Sequence, residues 1–292
     1  MITGEIIQSL CQVYCGTDAD FSIYNRERTP RNLNLYRVTG KWDNPTMIFC
    51  YGDRLELFIE KAALCMNPFV LVTHNSDKNI TATYIEFLNN PKLIFWHAQN
   101  VMVDHPKLGG LPIGIANSTW PHGNLTLLNK IRCKEIQKNY DFYFYFSIST
   151  NYNERNRCYE QIRNKGLVFG RQLSFEPYLH TLASYKYAIC PPGNGVDCHR
   201  IWECFYLNVI PIVKRSVFTE KLAIILPCIL LDDWNDFNEK QLLLAYVLPS
   251  YSSKLDIEHI KYCLVHNIDY FSVDHTKSGG IGLDNIGTST FE

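Results

Sequence analysis

The stretch Tyr187-Ala-Ile-Cys-Pro-Pro-Gly-Asn-Gly-Val-Asp-Cys-His-Arg-Ile-Trp-Glu-Cys-Phe-Tyr-Leu-Asn-Val-Ile-Pro-Ile-Val213 constrains this chain more than any other. Its apolar start, Tyr187 to Cys190, reads as the end of a strand. Pro191 and Pro192 stop that strand, because proline brings no ladder donor. Gly193 and Gly195 flank Asn194 and permit a tight turn with close approach of backbone to a ligand. Asp197 is placed to cap a helix. Cys198, Ile201, Trp202 and Phe205 recur at i, i+3, i+4 and i+7, one apolar helical face. Val209 to Val213 is a buried strand, with Pro211 pointing to an edge or an irregularity. Strand, glycine loop, helix and strand in that order belong to a parallel α/β sheet.

Such a unit has a chemical use. The loop and first helical turn offer unpaired N–H groups and the positive end of the helix dipole, which suit a phosphate. His199 and Arg200 add side-chain donors there. Glu203 lies about one turn further on, where a carboxylate accepts from a ribose diol. A plain β-α-β packing unit has the same outline. It does not need polar residues crowded from Asn194 to Glu203.

Cys190-Pro-Pro-Gly-Asn-Gly-Val-Asp-Cys-His-Arg-Ile-Trp-Glu203, followed by Asn208-Val-Ile-Pro-Ile-Val213, resembles the C-terminal signature of exostosin-like glycosyltransferases. More narrowly it is similar to short proteins of that group in algal and other giant viruses. The family pattern is roughly Ser-Pro-x-Gly-Asn-Gly-x-Asp-x-His-Arg-x-Trp-Glu, and Cys190 stands where serine is usual. Thr73-His-Asn-Ser-Asp77 agrees as well, as do Leu111-Pro-Ile-Gly-Ile-Ala-Asn117 with Trp120-Pro-His-Gly123, and Ser147-Ile-Ser-Thr-Asn151 with Arg155. Together they cover most of residues 45 to 215. The resemblance implies a GT-B fold, in which two Rossmann-like domains face across a cleft and the last helix crosses back. It implies transfer of a sugar from a nucleotide-sugar, with UDP donors favoured. Xylose, galactose or glucuronic acid as cargo, and a role in viral capsid-glycan synthesis, are analogy at the level of family.

Composition removes other classes. Lys+Arg is 28 against 29 Asp+Glu in 292 residues, which argues against a strong electrostatic nucleic-acid binder. No apolar run approaches the length of a membrane span. The first ten residues lack the basic start and apolar core of a signal peptide, so a cytoplasmic protein is expected, in host cytoplasm if viral. The 11 cysteines are scattered without a Cys-x-x-Cys, which favours free buried thiols. The sequons at Asn79, Asn117 and Asn124 are read as chance. His and Cys show no recurrent ligand spacing, so neither a metal nor a cofactor is expected beyond the nucleotide-sugar and a glycan acceptor.

Three segments follow: an acceptor-binding Rossmann-like domain over 1–138, a nucleotide-sugar-binding one over 139–254, and a crossover helix with a loose tail over 255–292. Residues 1–16 read as helix and 21–45 as irregular. Strands are expected over 46–50, 69–73, 93–96, 142–149, 166–169 and within 224–231, and around 107–115. Helices are expected over 54–66, 80–89, 130–138, 153–164, 177–184, 238–248 and 255–266. Asp18-Ala-Asp20 is formally a metal-binding Asp-x-Asp, but near the N-terminus it reads as a solvated turn.

Ligands of parallel sheets bind beyond the carboxyl ends of the strands. That places the acceptor at Asp53, His74, Asp77, His97, Asn100 and the Trp120-Pro-His122 loop, with Trp120 and His122 as a sugar platform or simple loop packing. An inverting transferase needs a base for the acceptor hydroxyl. Asp77 is the first candidate and His74 the second, with Asp53 and His97 in reserve; Ser76 and Asp77 would also serve as plain caps for a helix at Ile80. Arg155, Arg171 and Arg200 sit near strand ends and suit the leaving diphosphate. Two rivals stay open: a catalytically silent nucleotide- or glycan-binding protein, and a nicotinamide oxidoreductase. The latter lacks its Gly-x-Gly-x-x-Gly near the N-terminus.

Overall fold

The computed structural model describes residues 1–15, 34–36, 46–62 and 67–272. Strands β1 (Val13–Cys15), β2 (Asn34–Tyr36), β3 (Thr46–Tyr51), β4 (Phe69–His74), β5 (Leu93–Gln99) and β6 (Leu108–Leu111) form one sheet in the order β2-β1-β3-β4-β5-β6. Strands β7 (Tyr140–Tyr143), β8 (Tyr185–Ile189), β9 (Ile210–Lys214) and β10 (Ile229–Leu231) form a second, in the order β10-β9-β8-β7. Every pairing in both is parallel. The helices in chain order are α1 (Gly4–Ser9), α2 (Leu55–Ala62), α3 (Ile85–Leu88), α4 (Leu125–Arg132), α5 (Tyr152–Asn164), α6 (Phe175–Ala183), α7 (His199–Tyr206), α8 (Val217–Ile225), α9 (Glu239–Leu244) and α10 (Ile257–His266). This is the GT-B arrangement that the resemblance implies: two Rossmann-like domains with a cleft between them.

The apolar runs explain the layers. β4 is buried at every position, as a strand covered on both faces must be. Ile48 and Leu71 face one core with Phe58 of α2. Phe49 and Val72, one residue on, face another that continues through Leu111 and Ile115 to Trp202 and Tyr206 of the second domain. One core thus runs from domain to domain.

Two further segments lace the domains. The Ile2 amide donates to the Tyr206 hydroxyl, and Thr3 bridges to Ile115. After α10 the chain turns at Asn267 and lies across β6, where the Gly110 amide donates to Asp269 Oδ1 at 2.9 Å. A Cβ at Gly109 would stand 2.9 Å from Asp269 Cα, and one at Gly110 would stand 2.6 Å from the Phe271 ring. The Gly-Gly pair in β6 is therefore what allows the crossing.

Several expectations change. Residues 1–16 divide into α1 and the three-residue β1, and β2 lies inside the stretch read as irregular. The helix read over 54–66 is described over Leu55–Ala62, and that over 80–89 is a 3-10 turn leading into one turn of α3. The helix read over 130–138 is α4, which ends at Arg132. No strand forms over 166–169; Phe169 instead packs among Phe144, Phe146 and Tyr159. Pro211 is in an interior strand, tolerated because β10 begins opposite Ile212 and asks no donor of it. Asp18, Asp20 and the tail beyond Ser272 lie outside the described residues. None of the nine cysteines whose side chains are described is in a disulfide.

Candidate active site

The loops after the strand ends enclose a cleft of about 890 Å³. The first domain contributes Asp77, Ile113, Pro121 and His122; the second contributes the glycine loop, the start of α7 and an aromatic wall with Tyr145, Phe175 and Tyr178.

Arg155 on α5 shapes the glycine loop. Its Nε donates to the Pro192 carbonyl at 2.9 Å and its Nη1 to the Ser147 carbonyl at 2.8 Å. Asn151 Nδ2 donates to the Gly193 carbonyl. Arg155 Nη2 is left beside Gly193, where an added Cβ would lie 3.4 Å from it. The loop also reaches across the cleft: Asn194 Nδ2 donates to Asp77 Oδ2 at 3.1 Å.

Helix α7 opens without a side-chain cap. Its cap residue is Cys198, whose thiol makes no capping bond, and the first turn holds no acidic residue. The amides of His199 and Arg200 find no acceptor among the described residues. The His199 and Arg200 amides at the positive end of the helix therefore stay open toward the cleft.

Asp197, expected as the cap, does something else. It is 3 % exposed, and its carboxylate accepts from the Ile113 amide of the first domain at 2.7 Å and from Trp202 Nε1 at 2.8 Å. Burial pushes its carboxyl up to about 7, against the pull of the Ile113, Trp202 and Cys198 N–H groups. Gly195 is likewise pressed against the first domain: an added Cβ would meet Asn100 Nδ2 at 2.7 Å. Asn100 has φ of 56° and is held by Ser76 and Asp197. Asp197 and Gly195 thus join the domains under the cleft floor.

Glu203 is 4 % exposed and lines the cleft. Its Oε2 accepts from the Tyr178 hydroxyl at 2.5 Å; Oε1 takes no hydrogen bond from the described residues. Burial raises its pKa, opposed by Tyr178, Arg200 and His122. Arg200 donates Nε to the Tyr178 hydroxyl and Nη1 to the Tyr145 carbonyl, and lies 5.6 and 5.5 Å from the Tyr143 and Tyr178 ring centres. It is fastened behind Glu203 by those contacts.

His199 lines the cleft with its Nδ1 held 2.8 Å from the Gly114 carbonyl oxygen. Burial lowers its pKa, offset by Gly114 and by nearby Asp77. His122 lies 6.1 Å from it, ring to ring, and stacks on Trp120, which is 59 % exposed.

The cleft therefore gathers Asp77, His122, Arg155, Gly193, Asn194, Gly195, Asp197, His199, Arg200 and Glu203 from the sequence candidates. It does not gather six others: Trp120 and Asn100 border it without lining it, and His74, His97, Asp53 and Arg171 lie elsewhere. His74 is 1 % exposed, with Nε2 at the Pro112 carbonyl and Nδ1 at Asn75. His97 is buried against Phe95, near Asn267 in the segment that crosses β6. Asp53 accepts from Ser76 on an exposed turn outside the cleft, and Arg171 is exposed and outside its lining. Tyr178, the partner of Glu203, was not singled out from sequence; the one available signal was that a buried glutamate needs a donor.

No family model matches the chain. No curated protein matches it either. Among solved structures it is similar to the crystal structure of the GtfA/B complex, with a TM-score of 0.34 and 11% sequence identity over 77% of this chain and 54% of that one. This chain therefore spans about half the length of that neighbour, and a likeness this slight carries no function. Among the described residues no helix is long and apolar enough to cross a membrane, and no group of three or more His, Cys, Asp or Glu gathers to hold a metal.

Proposed function

We propose that this chain is a glycosyltransferase that moves a sugar from a nucleotide-sugar, UDP-linked in the first instance, to a hydroxyl of a glycan, with inversion and without a metal ion. One observation carries the reading. The uncapped start of α7, the Arg155 guanidinium and the open carboxylate oxygen of Glu203 share one wall of one cleft. An amide-rich helix start beside a guanidinium suits a diphosphate, and a carboxylate further along suits a ribose diol.

The roles follow from that wall. The diphosphate sits on the His199 and Arg200 amides with Arg155 Nη2 alongside. Charge developing on the leaving diphosphate meets donors already fixed by their bonds to Pro192 and Ser147. Glu203 Oε1 accepts from the ribose. The acceptor glycan enters from the first domain over Trp120 and His122, with Asp77 as that domain's carboxylate at the reacting centre. The choice of UDP, and of xylose, galactose or glucuronic acid as cargo, rests on the exostosin-like resemblance.

Titration calorimetry with UDP tests the wall, and release of UDP from a panel of UDP-sugars tests the transfer. Glu203→Ala is expected to weaken UDP at least tenfold; unchanged affinity would remove its role. Tight UDP binding with no turnover on any donor would leave a binding protein. Stabilisation by NAD and not by UDP would point to an oxidoreductase.

A further inference from the structure

Besides Asp197, which is tied to Ile113 and Trp202, and Glu203, which is assigned to the ribose, three side chains of the cleft lining are able to take a proton: Asp77, His122 and His199. They differ in how they are held. Asp77 is exposed and already accepts from Asn194. His122 is exposed on a loop and stacked on Trp120. His199 is fixed at the first position of α7, and its Nδ1 meets a backbone carbonyl, Gly114, which only accepts. Nδ1 must therefore carry the hydrogen, and in the neutral ring Nε2 is then a lone pair. The carbonyl belongs to the first domain, so the tautomer is set by the contact that closes the cleft floor.

From this geometry we infer that His199 is the catalytic base of the proposed transfer, with the Gly114 carbonyl fixing its tautomer and Asp77 as the anion beside it. The inference rests on the glycosyltransferase reading and deepens it. In the step, the acceptor hydroxyl gives its proton to His199 Nε2. Its oxygen forms the bond to the anomeric carbon. The bond from that carbon to the diphosphate oxygen breaks, and the electron pair leaves on UDP. The imidazolium then has Gly114 on one nitrogen and the Asp77 carboxylate nearby, and it returns its proton to water. The charged groups and imidazoles around the ring are Asp77, His122 and the buried His74 from the first domain, and Asp197, Arg155, Arg200 and Glu203 from the second. Burial keeps His199 neutral at neutral pH, the form a base requires.

The test pairs turnover with two readouts that do not depend on it. His199→Asn places an amide nitrogen at the Nδ1 position, able to donate to Gly114, and removes the proton acceptor. UDP release from UDP-xylose, UDP-galactose and UDP-glucuronic acid should fall at least 100-fold, within the usual range for a general base. UDP affinity should stay within about twofold, the equivalent of ~0.4 kcal/mol. The acid limb of the kcat/KM profile, below the ordinary histidine range in the parent, should vanish. Asp77→Asn should move that limb to lower pH without removing it, since the carboxylate raises the His199 pKa. Nitrogen-15 NMR of labelled histidines should find His199 protonated on Nδ1. An Nε2–H tautomer overturns the inference whatever the activity. So does a tenfold loss of UDP affinity in His199→Asn, which would make it a phosphate ligand, or an acid limb removed by Asp77→Asn instead. If the parent protein neither binds UDP nor releases it from any donor, the glycosyltransferase reading itself fails, and this inference with it.

Discussion

Tyr178→Phe isolates the support behind Glu203. The hydroxyl does two things: it donates to Glu203 Oε2 at 2.5 Å and accepts from Arg200 Nε at 3.2 Å. Phenylalanine keeps the ring and its contacts with Tyr143 and Phe175. Deletion leaves a buried carboxylate oxygen and a buried N–H without their partner. Hydrogen bonds to charged groups contribute about 1.5–3 kcal/mol each, and Arg200 retains the Tyr145 carbonyl, so a loss of roughly 2–4 kcal/mol is expected. At about 2–4 °C per kcal/mol that lowers Tm by roughly 4–16 °C. The loss should also grow with pH. Glu203 has a raised folded pKa, so its contribution is present at low pH and fades as pH rises through that value. Removing the Tyr178 donor raises the value further, and the ionised carboxylate is the form that misses it. The gap between parent and variant should be wider at pH 8 than at pH 5. With Oε2 released and the carboxylate free to turn, Oε1 loses its fixed aim and UDP affinity should fall about tenfold, ~1.4 kcal/mol. Thermal unfolding at the two pH values and calorimetry with UDP give these numbers. Unchanged Tm, a gap that narrows toward pH 8, or unaltered affinity would refute the reasoning.

The other predictions are brief. Gly195→Ala places a Cβ 2.7 Å from an Asn100 amide held on both sides, and should cost about 1–3 kcal/mol in denaturant unfolding; a neutral result would mean the cleft floor yields. EDTA should leave UDP release unchanged, since Arg155 and the α7 amides already supply positive charge; loss restored by manganese would turn attention to Asp18 and Asp20.

The sequence was most legible where its punctuation is strongest. Two prolines, two glycines and an i, i+3, i+4, i+7 face marked β8, the loop, α7 and β9, because each of those signals is local. Asp197 reads as a cap because capping is a local pattern, but the Ile113 amide that claims its carboxylate lies 84 residues away, and the Trp202 indole, five residues on in α7, takes its other oxygen. His74 was placed in the cleft because it ends a strand, yet alternation puts it on the core face with Val72, and the last residue of a strand still obeys that alternation. His97 shares a face with Phe95, and the segment that covers that face comes from residues 267–271, after α10. The strands β1 and β2 have three residues each, too few for a period-two pattern to stand out. Tyr178 carried no signal of its own, since an aromatic on an amphipathic helix is ordinary core until the partner helix is known.

The exchange of segments between the lobes has a consequence for anyone dissecting the protein. Ile2 belongs in sequence to one lobe but fastens to Tyr206 in the other, and residues 267–271 come after the second lobe but roof the first. A cut near residue 138 would not free two modules. It would strip each half of a strip of its own covering, leaving the Tyr206 hydroxyl without Ile2 and Gly109 and Gly110 bare.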